Sequence, residues 1–251
     1  MKNGIIDTNR LYGDLSWLWP YWGSPDEYAP FMDSMVSLID YHAKIPIHSL
    51  LNIGCGGGKN IYNFKRKFDI TGLDISPAMI DQARSLNPEC EYILGDMRSF
   101  NLNREFDAVL IDDSISYMTT KTDLEAALEC GIRHLKKGGV LICGPDSISE
   151  SFVQNEVRVT SSQVSSESDP QIVFIENSYD PDTSDTEFEA LMVYLIREQG
   201  KLRIEYDLHY LGIFPLKTWR DIIRQLGVEM HESVYNENDT KYIIFTCVKT
   251  I

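Results

Sequence analysis

Long apolar runs and closely spaced cysteines are both scarce in this sequence. No apolar stretch approaches the ~20 residues of a membrane-spanning helix, and the first ten residues, MKNGIIDTNR, lack the apolar region of a secretory signal. The five cysteines form no C-x-x-C pair, which is typical of reduced intracellular thiols. We therefore expect a cytoplasmic protein that has no membrane association and no metal site.

Positive charge is scarce as well. The chain has 23 lysines and arginines against 38 aspartates and glutamates, which gives a formal net charge of -15 at pH 7. A surface this acidic repels phosphate backbones. We therefore expect no nucleic-acid partner, and a basic or neutral small molecule is the better match for a substrate.

Between residues 49 and 145, short apolar runs alternate with amphipathic stretches. Continuous apolar strands separated by helices are typical of a parallel sheet that is covered on both faces. The predicted strands are Ser49–Gly54, Asp69–Ile75, Glu91–Gly95, Phe106–Asp112 and Val140–Cys143. The predicted helices are Asn60–Lys67, Pro77–Leu86 with Ser76 as its N-cap, and Leu124–Leu135, which we expect to stop at Lys136–Gly139.

The pattern changes after residue 145. Residues 151–185 are rich in serine and acidic residues, and two strands, Glu187–Ile196 and Lys201–Ile213, follow with a turn between them. Ile172–Asn177 is a further strand candidate. Because these segments are connected locally, we interpret 151–214 as an antiparallel insertion in a single domain that spans residues 1–251. A helix, Leu216–Leu226, and a last strand, Lys241–Lys249, complete the prediction.

The strongest chemical signal is the run Asn52–Gly58, NIGCGGG, at the end of the first strand. Glycines at 54, 56 and 58 let a ligand approach the backbone where the strand turns into a helix. Asp74 follows Gly54 by twenty residues, at a strand tip where a carboxylate can accept hydrogen bonds from ribose hydroxyls. The dinucleotide fingerprint needs glycine at 59, where this chain has lysine. The spacing therefore favours S-adenosylmethionine (SAM) over NAD.

Five segments resemble, in order and spacing, the motifs of class I SAM-dependent methyltransferases. They are LLNIGCGGGKN, TGLDISPAMIDQAR, YILGDMRSF, FDAVLIDDSISYM and LKKGGVLI. The stretch Tyr12–Leu18, the insertion and the segment Asp207–Leu211 further resemble small-molecule N-methyltransferases, particularly amino-sugar N,N-dimethyltransferases. One departure is Asn52, where such families usually carry an acid. The resemblance implies an α/β, doubly wound, mostly parallel seven-stranded sheet with an antiparallel last strand and a small antiparallel β insertion.

The resemblance also implies which residues hold SAM. Gly54, Cys55 and Gly56 would lie along its methionine half, and Asp74 would hold the ribose. Asp96 would accept a hydrogen bond from the adenine amino group. The complete set of expected cofactor contacts is Tyr12, Asn52, Gly54, Cys55, Gly56, Asn60, Asp74, Ile75, Met79, Asp96, Met97, Asp112, Asp113 and Ser114. Asp112 and Asp113 have a second interpretation, as a solvated pair at a strand end.

Candidate catalytic residues are fewer. On its predicted strand, His209 alternates with Glu205 and Asp207 on a polar face, so we expect it to be the general base, although an exposed strand histidine would show the same pattern. Tyr117 and Tyr12 are second candidates for orienting the substrate. The aromatic residues of segment 1–45 either pack as core or form a lid over the ligand, and we predict the lid.

Absent motifs narrow the acceptor. No Asn/Asp-Pro-Pro-Tyr follows the fourth strand and no Pro-Cys nucleophile is present, which disfavours amide, adenine and cytosine C5 methylation. We predict methyl transfer from SAM to a small molecule, with an amine as the expected acceptor. The alternatives are O-methylation of a small molecule and SAM binding without methyl transfer. The protein would be a monomer or a homodimer through the β insertion.

Overall fold

The computed structural model describes residues 8–162, 166, 169–237 and 240–250, so part of the predicted lid (residues 1–7) lies outside the described residues. The helices are α1 Ala29–His42, α2 Lys59–Phe64, α3 Pro77–Leu86, α4 Lys121–Arg133 and α5 Leu216–Gln225. Strands β1–β5 are Ser49–Ile53, Asp69–Asp74, Glu91–Leu94, Phe106–Ile111 and Leu135–Cys143. Strands β6–β11 are Glu156–Ser161, Gln171–Tyr179, Glu187–Glu198, Lys201–Gly212, Glu229–Glu237 and Thr240–Val248.

The main sheet has seven strands in the order β10-β11-β5-β4-β1-β2-β3. The pairs among β1–β5 are parallel, whereas β11 is antiparallel to both of its neighbours. All six residues of β4 are buried, as expected for a central strand covered on both faces. The predicted fold class, including the antiparallel last strand, is confirmed.

Helices cover both faces of this sheet. Alternation of side chains along β1 places Leu51 and Ile53 in the core with α4 and α5 and Leu50 in the core with α1, α2 and α3. Within the described residues, no helix is long and apolar enough to cross a membrane. The carboxyl ends of β1–β5 therefore meet at one edge of a packed scaffold.

One predicted boundary is wrong. Helix α4 ends at Arg133, and the segment expected to stop it, Lys136–Gly139, lies inside β5. The helix end is closed by His134, whose Nδ1 lies 2.8 Å from the Cys130 carbonyl oxygen and whose Nε2 accepts from Leu102 N at 3.0 Å. Gly139 is needed for strand pairing, because a Cβ there would lie 2.5 Å from the Asp107 carbonyl oxygen.

The insertion is a separate antiparallel sheet in the order β6-β7-β8-β9. The strand candidate Ile172–Asn177 is confirmed as the centre of β7, whereas β6 and β10 were missed because EVRVTS and EMHESVYNE carry charges typical of edge strands. Helix α1 was also missed. The inner face of the second sheet holds Leu11, Leu15 and Leu18 of the N-terminal segment against Phe174 and Tyr194.

Candidate active site

The glycine run forms a tight turn at the carboxyl end of β1. Gly54, Gly56 and Gly58 have φ values of +67°, +51° and +82°, a backbone conformation that favours glycine. Ser114, which follows β4, lies over the turn: its hydroxyl is 3.2 Å from the Ile53 carbonyl oxygen, and a Cβ on Gly54 would lie 2.2 Å from its Oγ. Because Ser114 occupies one side of the turn, a ligand can reach the turn only where the glycines leave the backbone uncovered.

Asp74 closes the turn from β2. Its carboxylate accepts from the Gly56 amide at 2.7 Å and from the Ser76 amide at 2.8 Å. Burial raises the pKa of this carboxyl above its usual value, although the two amide hydrogen bonds oppose the shift. The next residue, Ile75, is 66% exposed. A carboxylate beside an exposed aliphatic side chain can hold a sugar hydroxyl and support a flat ring.

The tips of β3 and β4 add polar groups to the same edge. Asp112 Oδ2 accepts from Asn60 Nδ2 at 2.9 Å, which joins β4 to the first turn of α2. Asp96 is held by Arg98, with an Nη2 to Oδ2 distance of 2.5 Å. Met97 is half-buried and its Cε would lie 3.3 Å from a Cβ on Gly54. Met97 therefore borders the glycine turn, and Asp96 precedes Met97 after the tip of β3.

Three of the expected contacts lie beneath this surface. Asn52 and Met79 are both fully buried, and neither amide atom of Asn52 has a hydrogen-bonding partner in the described residues. Cys55 is buried as well, and desolvation raises the pKa of its thiol well above the usual value. These three side chains support the turn from below rather than lining an open surface.

The N-terminal segment lies across the glycine turn. Lys59 Nζ donates to the Trp19 carbonyl oxygen at 2.7 Å and to that of Trp22 at 2.5 Å. The Trp19 ring lies against the turn, since a Cβ on Gly57 would come within 2.4 Å of it. Ser76 Oγ donates to the Tyr12 carbonyl oxygen at 2.6 Å. The segment is therefore tied to the same residues that shape the candidate cofactor site.

A second group of residues forms an open cleft of about 260 Å³ beside the turn. Of the ten described residues that line it, four are acidic and none is basic: Glu27, Tyr28, Phe31, Asp112, Asp113, Gly144, Pro145, Asp146, Tyr242 and Ile244. Asp146 follows β5, so the acids come from the tips of two neighbouring strands and from the N-terminal segment. The cleft combines carboxylates with aromatic walls.

The electrostatics of the cleft are unbalanced. Desolvation raises the pKa of Asp112 and of Asp146 well above the usual range, and the neighbouring charge of Asp113 raises both further. Arg158 on β6 lowers the pKa of Asp146, but this is the smallest of the effects, and Arg158 also pairs with Glu156 at 3.1 Å. A cation in the cleft would relieve this repulsion.

The predicted catalytic residues are brought together, but in an unexpected order. Tyr12 Oη lies 3.0 Å from Tyr117 Oη, which lies 2.7 Å from His209 Nδ1. His209 Nε2 lies 2.8 Å from Asp207 Oδ2. His209 is 1% exposed and Asp207 0%, so the exposed-strand alternative is wrong and His209 does not reach the cleft itself. Its Nδ1 contacts Tyr117, and His209 is not among the residues that line the cleft.

Sequence reasoning missed Lys59, Asp146 and the contacts that Asp207 makes. Asp146 carried a usable signal, because it follows a predicted strand whose carboxyl end belongs to the same edge. Lys59 carried another, as a lysine next to the glycine run. Asp207 was recognised only as a neighbour of His209 on a polar strand face, because its contacts depend on how residues 8–22 fold onto the two sheets.

Comparisons with known proteins agree with this geometry. Residues 50–139 match the family described as "Methyltransferase domain". The dTDP-3-amino-3,4,6-trideoxy-alpha-D-glucopyranose N,N-dimethyltransferase of Streptomyces venezuelae is 34% identical over 140 residues, 55% of this chain and 58% of that protein. The dTDP-3-amino-3,6-dideoxy-alpha-D-glucopyranose N,N-dimethyltransferase of Streptomyces fradiae is 35% identical over 111 residues, 43% of this chain and 44% of that protein. The matched part of the chain thus spans about half the length of these curated relatives.

Solved structures extend the likeness of fold over nearly the whole chain. The crystal structure of DesVI from Streptomyces venezuelae superposes with a TM-score of 0.81 at 24% identity, covering 94% of this chain and 96% of that one. SAM-bound CalS10 from Micromonospora echinaspora, described as an amino pentose methyltransferase, gives a TM-score of 0.75 at 22% identity, covering 93% and 95%. Residues 50–139 are therefore similar to a methyltransferase domain, and the chain shares the fold of these solved structures.

Proposed function

We propose that this protein transfers a methyl group from SAM to an amine of a small molecule. The observation that carries the proposal is the juxtaposition of two sites at one edge of the sheet. The glycine turn with Asp74 and Ile75 offers a nucleoside site, and the acidic cleft lies directly beside it. Asp112 belongs to both, because it lines the cleft and accepts from Asn60 of α2.

The residues present suit SAM. Asp74 would hold the ribose, Ile75 and Met97 would flank the adenine, and Asp96 would accept from its amino group. The orphaned amide of Asn52 lies two residues before Gly54 and offers a neutral polar group beneath the methionine end. When bound, SAM supplies an activated methyl group on a sulfonium, so the protein itself needs no nucleophile.

The character of the cleft supports an amine acceptor. Carboxylates and aromatic rings together favour a cation, and an amine is mostly protonated at neutral pH, whereas an alcohol is not. The names of the curated relatives also specify amino groups of sugars. O-methylation is the weaker alternative, because an alcohol would gain nothing from Asp113 and Asp146.

The chain's own residues then have three tasks. They hold the amine in line with the methyl group, exclude water and accept the proton that the amine must lose before its lone pair attacks. The N-terminal segment, tied down through Lys59 and Ser76, excludes water as a lid. Tyr12 and Tyr117 are proposed to orient the amine. His209 is proposed to act behind them, in place of the direct contact expected from the sequence.

The test is an assay of purified protein with SAM and a panel of small amines, each paired with its hydroxyl analogue. We expect S-adenosylhomocysteine to form with at least one amine and more slowly with its alcohol. Calorimetry with SAM and NAD supplies the second measurement. Asp74→Ala should weaken SAM binding by about tenfold or more, since a charged acceptor contributes ~1.5–3 kcal/mol, while Asp81→Ala on the exposed side of α3 should not. Tight NAD binding without SAM binding would overturn the proposal.

The proposed assembly is a homodimer through the outer face of the second sheet. That face is apolar. Five of its side chains are 48–62% exposed: Val157, Val159, Leu202, Ile204 and Tyr206. Five more lie between these on β7 and β8: Val173, Ile175, Leu191, Val193 and Leu195. These ten apolar side chains form one contiguous open patch, and a patch of this kind is typical of an interaction surface rather than of scattered surface residues. A second copy presents the same face. Cytoplasmic location and the lack of a nucleic-acid partner stay predictions.

A further inference from the structure

Asp207 is the innermost member of the contact chain that runs from Tyr12 to the second sheet. Its Oδ2 accepts from the Leu11 backbone amide at 2.7 Å and lies 2.8 Å from His209 Nε2. The contact with His209 is an ion-pair contact rather than an aligned hydrogen bond, and neither His209 Nε2 nor Asp207 Oδ1 has another partner in the described residues. The carboxylate is 0% exposed, so it cannot contact any molecule in the cleft.

The short distance decides where the imidazole proton sits. A lone pair on Nε2 would repel a carboxylate oxygen 2.8 Å away, whereas a proton on Nε2 is attracted to it. With that proton on Nε2, the neutral ring presents a lone pair on Nδ1. Tyr117 must then donate its hydroxyl proton to Nδ1 across the 2.7 Å contact.

The donor in the contact between Tyr117 and His209 determines which hydroxyl is the donor in the next contact, between Tyr117 and Tyr12. The hydroxyls of Tyr117 and Tyr12 lie 3.0 Å apart, and because a phenolic O–H can rotate, either one can be the donor in this contact. If the single proton of Tyr117 is directed at His209 Nδ1, Tyr12 has to be the donor to Tyr117. Tyr12 then presents only lone pairs to its remaining neighbours. Burial raises the pKa of the Tyr12 hydroxyl and the contact with Tyr117 lowers it. The charges of Asp113 and Asp146 in the cleft and of Asp74 at the glycine turn raise this pKa further, so Tyr12 is close enough to both sites to be affected by their charges.

We infer that Asp207 is a positioning residue that sets the direction of this hydrogen-bond chain, so that Tyr12 can accept a proton and cannot donate one toward the acceptor. This inference rests on the proposed methyl transfer for its kinetic part alone. The proton of the substrate ammonium passes to Tyr12 Oη as the Tyr12 proton passes to Tyr117 and the Tyr117 proton to His209 Nδ1. The amine becomes neutral, the imidazole becomes an imidazolium, and the Asp207 carboxylate balances the new charge.

The titratable groups around the pair come from every neighbouring element. Tyr117 approaches from the turn after β4 and Tyr12 from the N-terminal segment. Glu176 on β7 lies close enough to His209 for a charge on the imidazole to lower the pKa of Glu176. Tyr194 on β8 lies close enough to Asp207 for the carboxylate charge to raise the pKa of Tyr194. The test is therefore made at one fixed pH, by a measurement that reports the proton position directly.

The first test is the tautomer of His209, read from the ¹⁵N chemical shifts of its two ring nitrogens, with the signal assigned by its loss in His209→Gln. Wild type should show a neutral ring with the proton on Nε2. In Asp207→Asn the amide keeps an acceptor for Leu11 but can also donate to Nε2, so the Nδ1–H form should appear. A wild-type ring protonated on Nδ1, or an unchanged tautomer in Asp207→Asn, would overturn the inference.

The second test is kinetic. With the amine that gives the highest wild-type rate, Asp207→Asn should lower kcat by roughly 10- to 100-fold, the lower range for loss of a proton acceptor, with SAM affinity unchanged. Tyr117→Phe removes a hydroxyl of the same hydrogen-bond chain. The variant that combines Asp207→Asn with Tyr117→Phe should therefore be no slower than Tyr117→Phe alone. Full additivity of the two effects would contradict a shared chain.

Glu205→Gln is the matched control. Glu205 lies on the same face of β9 and binds the N-terminal segment through Arg10 at 3.0 Å, but it is outside the chain. If Glu205→Gln reduces kcat as much as Asp207→Asn, the effect is loss of lid anchoring and the inference fails. If wild type methylates nothing in the panel, the proposed function fails, while the tautomer measurement still decides the role of Asp207.

Discussion

Lys59 Nζ is buried against the main chain of Trp19, at 2.7 Å from its carbonyl oxygen and 4.9 Å from the centre of its six- and five-membered ring system. The side chain is 5% exposed, and burial lowers the pKa of its ammonium to about 8. A lysine next to the glycine turn thus attaches the N-terminal segment to the candidate cofactor site at an electrostatic cost.

Lys59→Met should loosen the lid. Without the two hydrogen bonds to Trp19 and Trp22, amide hydrogen exchange in residues 8–28 should become faster, and added SAM should protect these amides less than in wild type. SAM affinity should fall by roughly tenfold or more, because each hydrogen bond to the ammonium that holds the segment closed contributes ~1.5–3 kcal/mol. Lys65→Met, in the residue that follows α2, is the control and should leave both measurements unchanged.

The pH dependence of stability has a definite sign. Below pH 8, Lys59 is charged in the folded and unfolded states, and the penalty for burying the charge is fully present. Between pH 8 and the unfolded value near 10.5, only the unfolded state keeps the proton, so folding becomes more favourable as pH rises. Relative to Lys59→Met, wild type should gain about 2 kcal/mol of unfolding free energy between pH 7.5 and 9.5 in urea titrations. A constant difference would show that the lysine is not buried.

The strands that build the site could be predicted from the sequence because they are buried on both faces. Phe106–Ile111 is apolar apart from Asp107, so its tip, with Asp112, was expected at the ligand edge of the sheet. Edge strands such as Glu229–Glu237 alternate charged and apolar residues and pair on one side only. Their sequence does not differ from that of a surface loop.

The catalytic end of the site could be predicted only in part. His209 was correctly placed on a strand beside Asp207, but strand alternation does not say which face is covered. The cover comes from Leu11 and Leu18, which are over 180 residues away in the sequence. Because of this long-range packing, the histidine that we expected in the cleft is buried and contacts Tyr117 instead.

Gly54 offers a direct test of the turn. Gly54→Ala should destabilise the protein by more than Gly200→Ala, because both glycines have a positive φ, +67° and +79°, but only Gly54 would place a Cβ against Ser114. The matched variant, with open space around its Cβ, should cost about 1 kcal/mol for the backbone alone. Gly54→Ala should also abolish SAM binding by calorimetry. Equal costs and intact binding would show that Ser114 does not close the turn.

Asp146→Asn separates stability from function. Because burial and the charges of Asp113 and Asp112 raise the pKa of this carboxyl, a neutral amide should relieve like-charge repulsion in the cleft and raise the melting temperature at neutral pH. The same change removes a charge that favours a cationic acceptor, so KM for the amine should rise by roughly tenfold with SAM affinity unchanged. Asp81→Asn, on the exposed side of α3, should change neither quantity. A lower melting temperature together with an unaltered KM would contradict the acidic cleft as the amine site.

The outer face of the second sheet predicts a dimer that one charge should break. Wild type should have a mass near twice the 28.7 kDa of the chain by light scattering at micromolar concentration, because an apolar face of this size is unfavourable in water. Ile204→Asp and Val159→Asp each place a carboxylate on that face, at positions 55% and 62% exposed in one chain, and burying an unpaired charge between two copies costs several kcal/mol. Both variants should be monomeric, with an unchanged circular dichroism spectrum and unchanged SAM binding. Tyr41→Asp, at an 81% exposed position on α1, should remain dimeric. A monomeric wild type, or a dimer that survives both substitutions, would show that copies of this chain do not associate through the sheet.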